Sequence, residues 1–327
     1  MKKSQLFFLG IVCVILFFPD FHAYALGDVD VVHQVLTTKS IITSLALSPD
    51  GQMVAFVGRE KGKSVLQVKT LWDVNPPQEI AREHRIDKLS FFSNTTLLCL
   101  CDGKRVTLYD IATRATQNFG VADRLLASPE RKKILVKEED TVWVIETTSG
   151  KRTLLMKDCS GFEFSDWPMG MDILACREGS LWKIGENGKP KLFLQGHTFA
   201  PWYIDAKVSP DGKRILLISD DTKNDIGVGA RSIWIMERMA HTAKTVSLGG
   251  EARWVGSQML AVSSRGTLMF VDVFGSRAPE NLYDKSDLGC FDTGQNAIVY
   301  SINNIDEDGF YSGSTIVLIS LTQRRKK

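Results

Sequence analysis

The sequence is poor in the residues from which most catalytic and metal centres are built. It holds only five His and six Cys in 327 residues. No two of His33, His84, His197 and His241 stand two or four positions apart, so no local pair has metal-ligand spacing. A Gly-x-Ser-x-Gly elbow is absent, which removes the nucleophile of an α/β-hydrolase site. A phosphate loop is absent too: Gly227-Val228-Gly229 lacks a following Lys-Ser/Thr and reads as the end of a flexible loop. Neither sign of charge dominates, with 40 Lys and Arg against 38 Asp and Glu for a net charge of +2. That balance argues against nucleic acid as the ligand, because neutralising phosphates takes a basic stripe. With 10 Pro, 26 Gly and 44% apolar residues the chain is neither disordered nor collagenous, and it can bury a sizeable core.

Long apolar runs are confined to one place. Lys2 and Lys3 precede an apolar stretch from Leu6 to Phe18, and Ala23-Tyr24-Ala25 is a small-x-small cleavage site. Pro19-Asp20 stops the run well short of the roughly 20 apolar residues that a spanning helix needs. Residues 1–25 therefore read as a signal peptide cleaved after Ala25. The mature chain, 26–327, is expected to form one domain, periplasmic or secreted, with no stable membrane insertion. Cys13 leaves with the leader, and five Cys remain, an odd number for an oxidising compartment.

The mature chain repeats itself. Leu45 to Phe56, with Ser48-Pro49-Asp50-Gly51 at its centre, recurs as Ala206 to Leu217 around Ser209-Pro210-Asp211-Gly212. Weaker copies centre on Ser93-Asn94-Thr95-Thr96, Ser128-Pro129-Glu130-Arg131, Ser165-Asp166-Trp167-Pro168, Gly256-Ser257 and Asp292-Thr293-Gly294. Pro pre-sets the first central residue of a tight turn while Asp and Gly supply the rest, so each copy is a hairpin. The mean spacing of roughly 41 residues is the length of a four-stranded propeller blade. A third strand follows each hairpin, and Trp143, Trp182 and Trp234 share one column of it, which assigns them to packing between blades. No stretch shows helical period. The fold class is therefore an all-β, seven-bladed β-propeller of four-stranded antiparallel blades. The last repeat lacks a fourth strand, and the mature N-terminus offers an unassigned one, Val29 to Leu36, so the N-terminal strand is expected to close the ring.

The Ser-Pro-Asp-Gly hairpin, the aromatic third strand and this period resemble the bacterial TolB-like and WD-repeat-like propellers. The likeness covers nearly the whole mature chain and is specific at 48–51 and 209–212. There is no room before Ser48 for the α/β domain that precedes the TolB propeller. Of the Gly-His pairs that mark WD repeats, only Gly196-His197 is present. The resemblance implies a propeller that binds other proteins in the periplasm.

Candidate site residues lie on loops that such propellers gather on one face. The segment joining the fourth and fifth blades contributes His197, Phe199 and Trp202; Trp202 has the alternative of packing at the start of its strand. Two acidic loops contribute Asp221, Asn224 and Asp225, and Asp306, Glu307 and Asp308. Acidic oxygens on flexible, Gly-containing loops can coordinate calcium, although neither loop fits the twelve-residue calcium pattern. Otherwise no cofactor or metal is expected. The basic turn Arg131-Lys132-Lys133 reads as solvated surface. Centring the fourth hairpin on Trp167-Pro168 puts Cys159 opposite Cys176, which predicts a disulfide between them, with the other Cys as buried thiols. The leading functional expectation is a non-enzymatic scaffold that binds a protein partner. The alternatives are a channel-site enzyme of lyase or lactonase type and a small-solute sensing module.

Overall fold

A computed structural model describes residues 29–196, 198, 202–220, 231–240, 242–264, 266–276, 278–285, 287–294, 296–306 and 308–321. Its elements are all strands. After β1 (Val29–Thr38), the first blade comprises β2 (Ile42–Leu47), β3 (Met53–Glu60), β4 (Lys63–Thr70) and β5 (Gln78–Glu83). The second comprises β6 (Ile86–Phe91), β7 (Thr96–Cys101), β8 (Arg105–Asp110) and β9 (Thr116–Val121). The third holds β10 (Arg124–Ala127), β11 (Lys133–Glu138), β12 (Thr141–Glu146) and β13 (Arg152–Lys157). The fourth holds β14 (Glu163–Asp166), β15 (Ile173–Arg177), β16 (Ser180–Ile184) and β17 (Pro190–Leu194). Blade five is β18 (Tyr203–Val208), β19 (Arg214–Asp220), β20 (Arg231–Glu237) and β21 (Thr242–Leu248). Blade six is β22 (Glu251–Val255), β23 (Met259–Ser264), β24 (Thr267–Asp272) and β25 (Glu280–Tyr283). Blade seven combines β26 (Leu288–Thr293), β27 (Ala297–Ile305) and β28 (Tyr311–Leu321) with β1, in the order β1-β28-β27-β26. The expected closure is therefore present, with Val32 opposite Ile319 and Leu36 opposite Ile316.

The turn chemistry read from the repeats explains the hairpins. Ser48 Oγ accepts the Met53 N–H at 2.8 Å and donates to Asp50 Oδ1 at 2.6 Å; Ser209 repeats this with Arg214 N at 2.9 Å and Asp211 Oδ1 at 2.6 Å. The fourth turn residue needs positive φ, which Gly51 and Gly212 adopt freely, and Arg131 takes φ 57° at the same position in the third blade.

Each blade buries its faces against its two neighbours, so the core is seven separate clusters, one per blade interface. Ala55, Leu66, Phe91 and Tyr109 join blades one and two. Phe56, Leu71, Val299 and Leu318 join blade one to blade seven across the closure. The third-strand tryptophans behave as expected: Trp143, Trp182 and Trp234 pack on the clusters between blades two and three, three and four, and four and five. Polar ties cross the same interfaces. Ile86 N donates to Ser64 Oγ at 3.1 Å, and Ile42 N, at the equivalent position in blade one, donates to Ser314 Oγ at 3.0 Å.

The fourth hairpin corrects the expected disulfide. Its loop runs from Trp167 to Asp172, and the register sets Glu163, not Cys159, opposite Cys176. Cys159 lies before the strand begins, packed with Phe162, and both cysteines are free, buried thiols. The longer loop moves the hairpin centre two residues along, which the Ser-Asp-Trp-Pro sequence did not signal.

Candidate functional site

First strands of neighbouring blades meet on the inner side of the ring, β2 against β6 and β26, β14 against β10 and β18, and β22 against β26, and their side chains line the central channel. Lys88, Arg124, Glu163 and Asp205 occupy one position on four consecutive blades, opposite Leu100, Lys137, Cys176 and Ile218. Blades two and three thus bring cations to the channel, and blades four and five bring carboxylates. Arg124 Nε meets Glu163 Oε2 at 2.7 Å across a blade boundary, and Lys207 Nζ stands 3.7 Å from Asp205. Arg253 is held between Glu251 at 2.7 Å and Asp292 at 2.5 Å. Among the described residues no carboxylate lies within ion-pair distance of Lys88. Burial, with Arg124 and Lys207 nearby, pushes its ammonium below the usual lysine range.

The connections between blades and the tips joining second to third strands share one face. On it, Trp202 is half-buried against the tip of blade four: a Cβ added at Gly179 would lie 2.7 Å from the indole. Tyr203 N donates to Gly179 O at 3.1 Å and Asp220 N to Trp202 O at 2.8 Å, so Trp202 fastens its connection to the ring. That agrees with the packing alternative. His197, Phe199, Asp221, Asn224, Asp225 and Glu307 lie outside the described residues.

The seventh blade supplies the clearest feature of this face. Asn303 to Ile305, adjoining the acidic loop, belong to β27, because Asn303, Asn304 and Ile305 pair with Ser314, Gly313 and Tyr311. Equivalent hairpins end at Glu60–Lys63 in blade one and Cys101–Arg105 in blade two, so this one runs further. Asp306 does not offer its carboxylate outward: Oδ1 accepts the N–H groups of Asp308 at 3.1 Å and Phe310 at 2.8 Å, an Asx turn that shapes the tip. Asp308 is exposed beside it. Sequence reasoning missed the apolar part. Phe310 is 71% exposed, Tyr311 59% and Ile305 53%, and exposed Ile41 sits in the adjoining β1–β2 connection. The Phe310-Tyr311 pair stood in the sequence directly after the acidic loop and was the signal available.

Among the described residues no group of three or more His, Cys, Asp or Glu is placed to hold a metal ion. His84, whose side chain is described, is exposed on the surface, 3.7 Å from Asp102. No helix of the described residues is long and apolar enough to cross a membrane.

No family model matches the sequence, and no curated protein matches it. Solved structures do resemble the fold. An oligogalacturonate lyase in complex with manganese aligns with a TM-score of 0.66 at 11% identity, covering 89% of this chain and 93% of that one. The β-propeller domain of Cps50 (Swd1) from Myceliophteria thermophila gives 0.59 at 13%, over 89% and 100%. TolB from Acinetobacter baumannii gives 0.53 at 14%, over 73% of this chain and 65% of that one. The chain is a seven-bladed propeller, and at these identities its likeness to TolB and to the Cps50 (Swd1) propeller domain is one of fold.

Proposed function

We propose that the protein is an exported, non-enzymatic propeller that binds a protein partner through the face bearing the β27–β28 hairpin. One observation carries this reading. Among the described residues, the tips of blades one to four carry charged residues or glycine, such as Lys61-Gly62, Glu139-Asp140 and Glu178-Gly179, whereas the extended tip of blade seven exposes Ile305, Phe310 and Tyr311 together. A contiguous exposed apolar patch rimmed by charge is the usual mark of an interaction surface, and aromatics carry much of the energy at such surfaces. The ring holds its loops rigidly, which lowers the ordering cost of binding. Partner recovery on tagged full-length protein tests it. Phe310→Ala with Tyr311→Ala, or removal of Asp221–Asp225 with Asp306–Asp308, is expected to abolish recovery of the wild-type partner while melting is unchanged. Undiminished recovery overturns the reading. Export is tested separately, by sequencing the periplasmic form, whose first residue is expected to be Leu26.

The charged channel wall favours a second reading, a small-solute site on the axis. Solute binding there is expected to respond to Lys88→Ala and not to the hairpin variants. The lyase or lactonase version of this reading would draw support from a stoichiometric divalent ion in the purified protein.

A further inference from the structure

On the opposite face, where the first-to-second and third-to-fourth strand turns emerge, blades three, four and five enclose a cleft of about 620 Å³. We infer that this cleft is a second docking site, taking an extended segment of a partner protein that presents a carboxylate beside an apolar side chain. It owes nothing to the hairpin face and stands or falls independently of the function proposed above.

The argument rests on how charge is distributed by depth. Lys183 and Arg238 are half-buried in the cleft, while its acids, Glu130, Asp172 and Glu186, are all exposed at its rim. Lys132 and Lys133 line the third-blade side. Among the described residues none of these four cations has a carboxylate within ion-pair distance. Arg238 donates to Gly212 O at 3.1 Å, and Lys183 Nζ lies 3.5 Å from the centre of the Phe193 ring. Burial and the neighbouring Arg238 lower the Lys183 pKa against the weaker opposing pull of Asp172, so the floor holds positive charge without a direct carboxylate contact, which an anion would relieve. The basic turn divides its labour: Arg131 reaches back to Phe91 O at 3.2 Å and serves the ring, while Lys132 and Lys133 face the cleft.

The apolar requirement comes from the walls. Trp167 and Met171 line the cleft half-buried, and Met169 and Met239 extend the apolar surface beyond it, 73% and 89% exposed. Apolar surface that continues outside the cavity suits a chain longer than the cavity itself, and methionine side chains adapt to a partner at low cost.

The experiment is a random-peptide phage library panned on the full-length chain, followed by fluorescence anisotropy on the selected peptides. The selected sequences are expected to be enriched in Asp or Glu adjacent to Leu, Met or Phe. Lys183→Glu and Arg238→Glu are expected to weaken their binding at least about tenfold. Lys132→Glu with Lys133→Glu, whose side chains are exposed where the turn meets β11, is expected to weaken it in the same direction while melting is retained. Phe310→Ala with Tyr311→Ala is expected to leave it unchanged. Failure to select any binder, selection without acidic enrichment, or equal affinity for the Lys132→Glu/Lys133→Glu protein overturns the inference.

Discussion

Asp166 Oδ2 accepts the backbone N–H of Val208 at 2.8 Å, carrying a hydrogen bond from the inner strand of blade four to that of blade five. Asp292 Oδ2 does the same for Leu47 N at 2.8 Å between blades seven and one. Val208 and Leu47 are each the last residue before a Ser-Pro-Asp-Gly turn. The two most regular hairpins of the chain are thus the two that the preceding blade fastens by a carboxylate.

These two carboxylates are expected to answer differently to the same substitution. Burial holds Asp166 above the usual carboxylate range, against the pull of Lys207 and the two backbone N–H groups. Asp166→Asn keeps an acceptor and removes a buried charge, so it is expected to be near neutral at pH 7. Asp292→Asn breaks the pair with Arg253 and is expected to cost about 1–3 kcal/mol. Denaturant titrations of both variants check this.

A dependence on pH follows from the same carboxyl. Because its folded pKa is raised, the native state binds the proton more tightly than the unfolded chain does. Its contribution is therefore fully present below the unfolded value and is lost as pH rises through the folded one. Asp166→Asn is expected to remove that loss, flattening the stability profile above the ordinary carboxylate range; an unchanged profile would contradict the assignment.

Thiol chemistry is expected to be slow. Burial pushes Cys176 up to about 12 and Cys290 up to about 11, and it raises Cys99, Cys101 and Cys159 as well. Thiolate is the reactive form. Iodoacetamide at pH 8 should leave the native protein of residues 26–327 unlabelled over minutes and modify all five cysteines in guanidinium without reductant. Fewer than five would mean that a disulfide exists.

Gly179→Ala tests the seating of Trp202. The residue has φ 72°, and the added methyl would meet the indole at 2.7 Å. The positive φ alone costs about 1 kcal/mol, and displacing the ring adds to it. Loss of stability with a shift in tryptophan emission is the expected result; unchanged emission would show that the ring is not held there.

Removing β1 should make the ring aggregate. It would bare the β28 edge along Thr315-Ile316-Val317-Leu318-Ile319, an apolar, β-branched strand without a charge to protect it. Size-exclusion chromatography of a chain starting after Thr38 checks this, with a monomeric profile as the contrary result.

The fold was legible because turn chemistry repeats: Ser48, Ser128 and Ser209 announce hairpins whose strands need only be short and apolar. Legibility failed where geometry departs from the repeat. Trp167 to Asp172 lengthen one turn, shift the register and separate Cys159 from Cys176. Asn303 to Ile305 have loop-like residue types, yet the ladder to Ser314 and Tyr311 holds them extended, because cross-strand pairing overrides local preference. The channel charges were invisible for another reason. Lys88, Arg124, Glu163 and Asp205 are far apart in sequence, and only the blade register sets them side by side.

The pairing of β1 with β28 also orders events in time. β1 has no partner until β28 exists, so the blade it completes closes only after β28 has been made, through the longest-range contacts among the described residues. An incomplete chain would carry six blades' worth of structure and an unsealed ring. Sealing is thus a built-in check on completeness, and a product truncated before Thr315 would be marked by an open seam against which a protease or a chaperone can act.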